Sequence, residues 1–167
     1  MTNVISNTSP LFYLHQINGL SWLPMLFDEV WTTTAVVSEL TQGIIQGYGA
    51  PNVSSYQWIQ VVDAKAIPSE WLSLDIGAGE LAVLALALEN PDRVLLIDDQ
   101  IGRRLAQAAG LSVWGTLRVI LEAKSRGLIP LVAPQVTLLA QAGMWISDDI
   151  HQRILLLAGE RLLDRSL

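Results

Sequence analysis

Two patterns of apolar residues alternate along the chain. Short β-branched or uninterrupted runs, Val4-Ile5, Val30-Trp31, Trp58 to Val62 and Val94 to Ile97, read as strands, with a last brief strand expected within Gly110 to Trp114. Between them, apolar residues recur at helical spacing. Leu11, Leu14 and His15 predict a helix running from Pro10 to Asn18-Gly19, with Thr8 and Ser9 as caps, because a hydroxyl ahead of a proline can hold free amides at a helix start. A second apolar piece spans Leu20 to Phe27, and Thr33-Thr34 predict the cap of a helix carrying Val36, Val37, Glu39 and Leu40. Gly43 to Ser55, with Gly43, Gly47, Gly49 and Pro51, predicts a loop. Glu80 to Leu88 is apolar on nearly every face and predicts a buried helix. Val94 to Ile97 has the unbroken apolar run of a central parallel strand and stops at Asp98-Asp99. Helices are expected at Ile101 to Ala109 and near 116–126, 134–142 and 148–158.

Strands alternating with helices predict an α/β fold, a doubly wound and mainly parallel sheet. Ligands of such sheets gather at the carboxyl ends of the strands. Asn7 and Asp98 both follow directly on predicted strands. The length of 167 residues predicts one domain over 1–167, with 127–160 as a C-terminal helical part and no internal repeat.

Composition narrows the chemistry. At 51% hydrophobic and 16% charged residues the chain lies outside the disordered class. The absence of cysteine excludes disulfides, thiolate zinc sites and cysteine nucleophiles. The two histidines, His15 and His151, are too few for a histidine-rich metal site, and neither has a partner in sequence that makes it a ligand or base. The tryptophans at 22, 31, 58, 71, 114 and 145 show no stacking-platform spacing and are assigned to core or interface packing. The first residues lack a basic segment ahead of an apolar stretch, so a cytoplasmic location is expected. Residues 127–147 carry no charge over a bilayer-sized length, but Pro130, Pro134, Gln135 and Gln141 argue against a membrane helix. That span is expected to be buried or interfacial, either as a self-contact making a homo-oligomer or as a groove for an apolar helix of an inhibitory partner.

The formal net charge of −6 argues against a coat for non-specific nucleic-acid binding, yet residues 100–130 hold Arg103, Arg104, Arg118, Lys124 and Arg126 against Glu122 alone. Arg103 and Arg104 stand one turn past Asp98-Asp99, where guanidinium groups can hold phosphates. Glu39, Glu80 and Asp98, with Asn7, are the candidate constellation. Carboxylates converging without a neutralising lysine call for a hard divalent ion such as Mg²⁺ or Mn²⁺. Such an ion activates water and stabilises charge on a displaced phosphodiester, which is nuclease chemistry. Glu80 at a helix start and Asp98 or Asp99 before another helix also have ordinary capping roles; Asp98 is assigned to metal and Asp99 to the cap or a supporting position beside the metal.

The order of these motifs resembles the PIN-domain family, in particular its small stand-alone VapC-like ribonuclease toxins. The matching stretches are Val4 to Pro10, Val36 to Leu40, Gly77 to Glu80, Leu95 to Asp99 with Gly102 to Arg104, Gly115-Thr116, and Ile146 to Asp149. The resemblance implies a PIN-like three-layer α/β/α sandwich and a metal-dependent endoribonuclease acting on RNA, restrained by a small antitoxin protein. It implies a metal site of Asn7, Glu39, Glu80 and Asp98, with Asp99 adjacent. The family pattern has an aspartate where this chain has Asn7, which removes one charge from the expected metal shell and predicts weakened cation affinity. The other expectations weighed are a non-catalytic PIN-like binding module, and a signalling receiver domain. The latter lacks its late-strand lysine, since Lys65 and Lys124 are misplaced for that role.

Overall fold

A computed structural model describes residues 2–160. Strand β1 (Thr2–Ser6) feeds helix α1 (Thr8–Gln16); a 3₁₀ turn at Leu20–Trp22 and α2 (Leu23–Leu26) lead into β2 (Phe27–Thr32) and α3 (Thr34–Ile45). Strand β3 (Ile59–Val61) is followed by α4 (Ala78–Glu89), β4 (Val94–Leu96), α5 (Gln100–Ala108), β5 (Val113–Trp114), α6 (Thr116–Ser125), α7 (Ala133–Gln141) and α8 (Asp148–Leu157). The strands form one sheet in the order β3-β2-β1-β4-β5, and every pairing is parallel. Helices flank the sheet, giving the expected α/β/α sandwich.

From β1 the chain passes to β2 on one side, and from β4 to β5 on the other. Their adjacent carboxyl ends are therefore a topological switch point, where such sheets open a crevice. The register Val4↔Val94, Ile5↔Leu95, Ser6↔Leu96 carries forward in the hydrogen bond from the Asn7 amide to the Leu96 carbonyl at 2.9 Å. Val4, Ile5, Leu95, Leu96 and Ile97 are fully buried, as a central strand pair requires, and Val83, Leu84 and Leu86 of α4 join the same core. Arg93, buried ahead of β4, is ion-paired to Glu29 and lies 3.2 Å above the Trp31 ring.

Several boundaries differ from expectation. Helix α1 begins at Thr8, two residues before Pro10, so Thr8 and Ser9 lie inside it and Asn7 occupies the cap position. Proline tolerates the first turn of a helix at more than one place, and the extended backbone at Asn7 (φ −76°, ψ 177°) sets the start. At the other end Asn18 adopts φ +58°, a left-handed stop that Asn accepts. Strand β2 is longer than Val30-Trp31: it starts at Phe27, which pairs with Thr2, and carries exposed Asp28 and half-buried Glu29 between buried Phe27 and Val30. Helix α3 continues past Gly43 to Ile45, so the loop starts later; a lone glycine weakens a helix without ending it.

The uncharged segment 127–147 splits its faces. Val132, Val136 and Leu139 enter the core while Leu131 and Leu138 are exposed. Its helix α7 has no capping side chain of its own. Glu160 fills that role from beyond α8: its carboxylate accepts from the Val132 amide at 2.7 Å and the Ala133 amide at 3.0 Å, and pairs with Lys124 at 2.8 Å. Burial pushes the Glu160 carboxyl up, but these partners together hold it below its ordinary value. A depressed carboxylate adds stability above its unfolded pKa and loses it as the pH falls through the folded value. Glu160→Gln is accordingly expected to cost about 1 kcal/mol in urea denaturation at neutral pH, the usual scale of a lost helix cap. The gap between variant and parent should close below the carboxylate range; a gap independent of pH would reject the capping account.

Candidate active site

In a parallel sheet the helix that follows each strand starts near that strand's carboxyl end, so helix N-termini with their unpaired amides crowd the same side. Acidic side chains satisfy many of these amides. Asp63 accepts from Thr34 at the head of α3, through the amide at 2.9 Å and the hydroxyl at 2.6 Å, bonds that hold its carboxyl below the ordinary value. Glu39 accepts from Gly79 in α4 at 2.9 Å, and Asp99 from Gly102 in α5 at 2.8 Å.

Glu39 is the link between distant segments. While one carboxylate oxygen takes the Gly79 amide, the other takes the hydroxyl of Thr8. This single side chain from α3 ties together the first turns of α1 and α4, and so sits beside both Asn7 and Glu80 in the chain. Gly79 is what permits the approach: a Cβ there would stand 2.5 Å from a Glu39 oxygen. Glu80, in the first turn of α4, folds its carboxylate back over Gly77.

Asp98 is held from the other side of the crevice. Its two oxygens accept from the Thr116 amide and the Thr116 hydroxyl, each at 2.7 Å, at the start of α6. Burial pushes the Asp98 carboxyl up from its ordinary value, and the Thr116 bonds and the Arg103 charge offset this in part. Tyr13 of α1 is raised chiefly by burial and then by the charge of Asp98, which places the two in one electrostatic environment. Arg103 donates to the Ile97 carbonyl at 3.1 Å and, with Asp98, lines a cleft of about 380 Å³. Gly115 has no side chain to intervene; a Cβ on it would meet Arg103 at 2.7 Å and Asp98 at 3.1 Å. Arg104, the next residue on α5, is exposed and does not line that cleft.

Asn7 is the exception to the capping pattern. Thr33, Asn52, Asp99 and Ser147 occupy N-cap positions and each accepts an amide of its own helix; Asn7 occupies the same position in α1 and does not. It is 1% exposed, and its Oδ1 has no hydrogen-bond partner. A buried orphan oxygen costs free energy unless water or an ion meets it. Oxygen donors on Asn7, Glu39 and Asp98 suit a hard divalent cation in kind. Among the described residues no three Asp, Glu or His side chains stand in one metal-binding cluster. The carboxylates are instead held apart by their amide and hydroxyl partners, Glu39 by Thr8 and Gly79, Asp98 by Thr116.

Thr116, Tyr13 and Trp145 carry no site assignment from sequence. Thr116 was visible as a helix start after a strand; Tyr13 follows Asn7 on the same helix. Trp145, assigned above to core or interface packing, is 83% exposed, which removes it from the core: it lines the cleft beside Asp98. No described helix is long and apolar enough to cross a membrane.

A family model described as PIN domain matches residues 3–160. No curated protein matches the chain. The match takes in the whole sheet but for the first residue of β1, and all eight α-helices described here, and it identifies the chain as a member of the PIN-domain family, with its nuclease-like fold.

Proposed function

We propose that this protein is a metal-dependent endoribonuclease, using Mg²⁺ or Mn²⁺, and the toxin of a toxin-antitoxin pair. The observation that carries the enzymatic part is the buried, unpartnered Oδ1 of Asn7 at the switch point, where Thr8, next in the chain, binds Glu39 and the Asn7 amide binds Leu96, two residues before Asp98. Asn7, Glu39, Glu80 and Asp98 would hold the ion; Asp99, which caps α5, keeps Asp98 in place from the neighbouring residue. When bound, the ion supplies activation of water and charge stabilisation on the phosphodiester.

The chain's own residues supply orientation. Thr116 fixes both Asp98 oxygens, and Thr8 with the Gly79 amide fixes those of Glu39, so neither carboxylate is free to rotate away. Arg103 presents a guanidinium along the same cleft to the phosphates of a bound strand, and Arg104 extends the positive charge on the exposed side of α5. Leu156 and Leu157 of α8 are largely exposed, as are Leu131 and Leu138 to a lesser degree. Their apolar surface supports the part of the reading in which an antitoxin helix or a second copy of the chain covers this end, in the cytoplasm.

Incubation of RNA with the protein and Mn²⁺ is expected to give cleavage that a chelator stops and Asp98→Asn reduces to the chelated level. Because burial already penalises the Asp98 charge, Asp98→Asn should leave the melting temperature unchanged or raised. Cleavage by the Asp98→Asn variant equal to the parent's would overturn the assignment; RNA binding without cleavage by the parent would favour a non-catalytic module, the reading that the neutral Asn7 also allows. Asn7→Asp should tighten Mn²⁺ binding in calorimetry by roughly tenfold, about 1.4 kcal/mol, and an unchanged or weaker affinity counts against Asn7 as a ligand. Gly79→Ala should keep the fold, since the clashing atoms are the far end of one side chain, which the methyl group would push off its Thr8 and Gly79 partners, yet lower cleavage roughly 10- to 100-fold, as loss of a ligand's supporting contact does. Full activity in that variant would reject the positioning of Glu39.

A further inference from the structure

Between α7 and α8 the chain runs without helix or strand after a turn at Gly143, whose φ of +104° suits glycine. Burial alternates along it. Met144 and Ile146 pack against the core, and Trp145 between them turns outward, 83% exposed. An indole left in water is a large apolar surface with no packing return. Its surroundings are mixed: apolar Leu117, Met144, Ile146 and Ile150 share the cleft with Asp98, Arg103 and Arg118, so charge as well as apolar surface meets whatever enters it. Arg118 is itself oriented, with its guanidinium 4.7 Å from the Trp114 ring and paired at 3.2 Å to Glu122.

We propose that Trp145 is a stacking platform for a nucleobase of single-stranded RNA, one that Arg103 and Arg118 flank with phosphate-directed charge. The proposal rests on the ribonuclease reading above and adds to it the residue that receives a base next to the cut. A flat ring and cationic forks in one cleft match the two faces of a nucleotide, an aromatic base and an anionic phosphate. A protein helix seated here would instead bury the two guanidiniums against apolar side chains. Stacking tolerates any base, so the platform holds and orients the strand without dictating sequence.

The test is binding of a fluorescently labelled single-stranded RNA to the full chain in chelator, read by anisotropy, with an abasic strand of the same length alongside. Trp145→Ala is expected to weaken binding of the ordinary strand roughly 5- to 150-fold, the measured range for one base on one ring. Trp145→Phe should keep most of the affinity. On the abasic strand Trp145→Ala and the parent should bind alike. The salt dependence should be unchanged in Trp145→Ala and shallower by about 0.7 in logarithmic slope in Arg118→Ala, as one phosphate contact is lost. Equal affinity of Trp145→Ala and the parent for the ordinary strand overturns the platform; if Arg118→Ala still weakens binding, the RNA reading stands without it. No binding by the parent overturns both. Equal losses on both strands, with a fall in oligomer mass by light scattering, overturn the platform in favour of a contact between copies of the chain.

Discussion

Helix amides without partners, gathered on one side of a parallel sheet, are the constraint on which the rest of this molecule depends. Each helix start leaves backbone donors that water or a side chain must meet. Here the answer is acid: Asp63 for α3, Glu39 for α4, Asp99 for α5 and Asp98 for α6; Glu160 does the same for α7, which follows a helix and not a strand. Carboxylates are favoured there by the helix dipoles as well as by the hydrogen bonds. A sheet built this way concentrates negative charge at the carboxyl ends of its strands before any functional demand is made on it.

Function follows from how two of these acids are placed. Glu39 answers the Gly79 amide and Asp98 the Thr116 amide, while Asn7, directly after β1, keeps a buried side-chain oxygen that answers nothing. The same bonds that complete α4 and α6 therefore orient the groups that the proposed function would offer to a cation. Glycine at 79 and 115 is part of this arrangement, since a methyl group at either place would intrude on a Glu39 or Asp98 oxygen. In the proposed reading stability and activity pull apart at Asp98, whose burial raises its pKa and so makes its charge a cost to the fold.

Much of this was legible in the sequence. Val94 to Ile97 announces a central strand because buried parallel strands need apolar residues on both faces, and the acids after it fall where the switch-point rule puts ligands. Asn7, Glu39 and Asp98 were readable as strand-end or helix-borne polar residues in an apolar context. What stayed hidden depends on distant contact. Nothing near Thr8 says that its hydroxyl will meet Glu39 and not cap its own helix, and nothing near Glu160 says that it completes α7. Met144-Trp145-Ile146 reads as buried or interfacial in one dimension; only the fold separates the exposed tryptophan from its two packed neighbours.

The central claim is that the crevice between β1 and β4 receives a divalent cation on oxygen atoms of residues remote in sequence. Anomalous diffraction from crystals of the protein soaked in Mn²⁺ tests it most directly. The account predicts a strong peak within bonding distance of Asn7 Oδ1 and of the Glu39 and Asp98 carboxylates. A peak confined to other surfaces, or none at Mn²⁺ concentrations that saturate binding in solution, would contradict it.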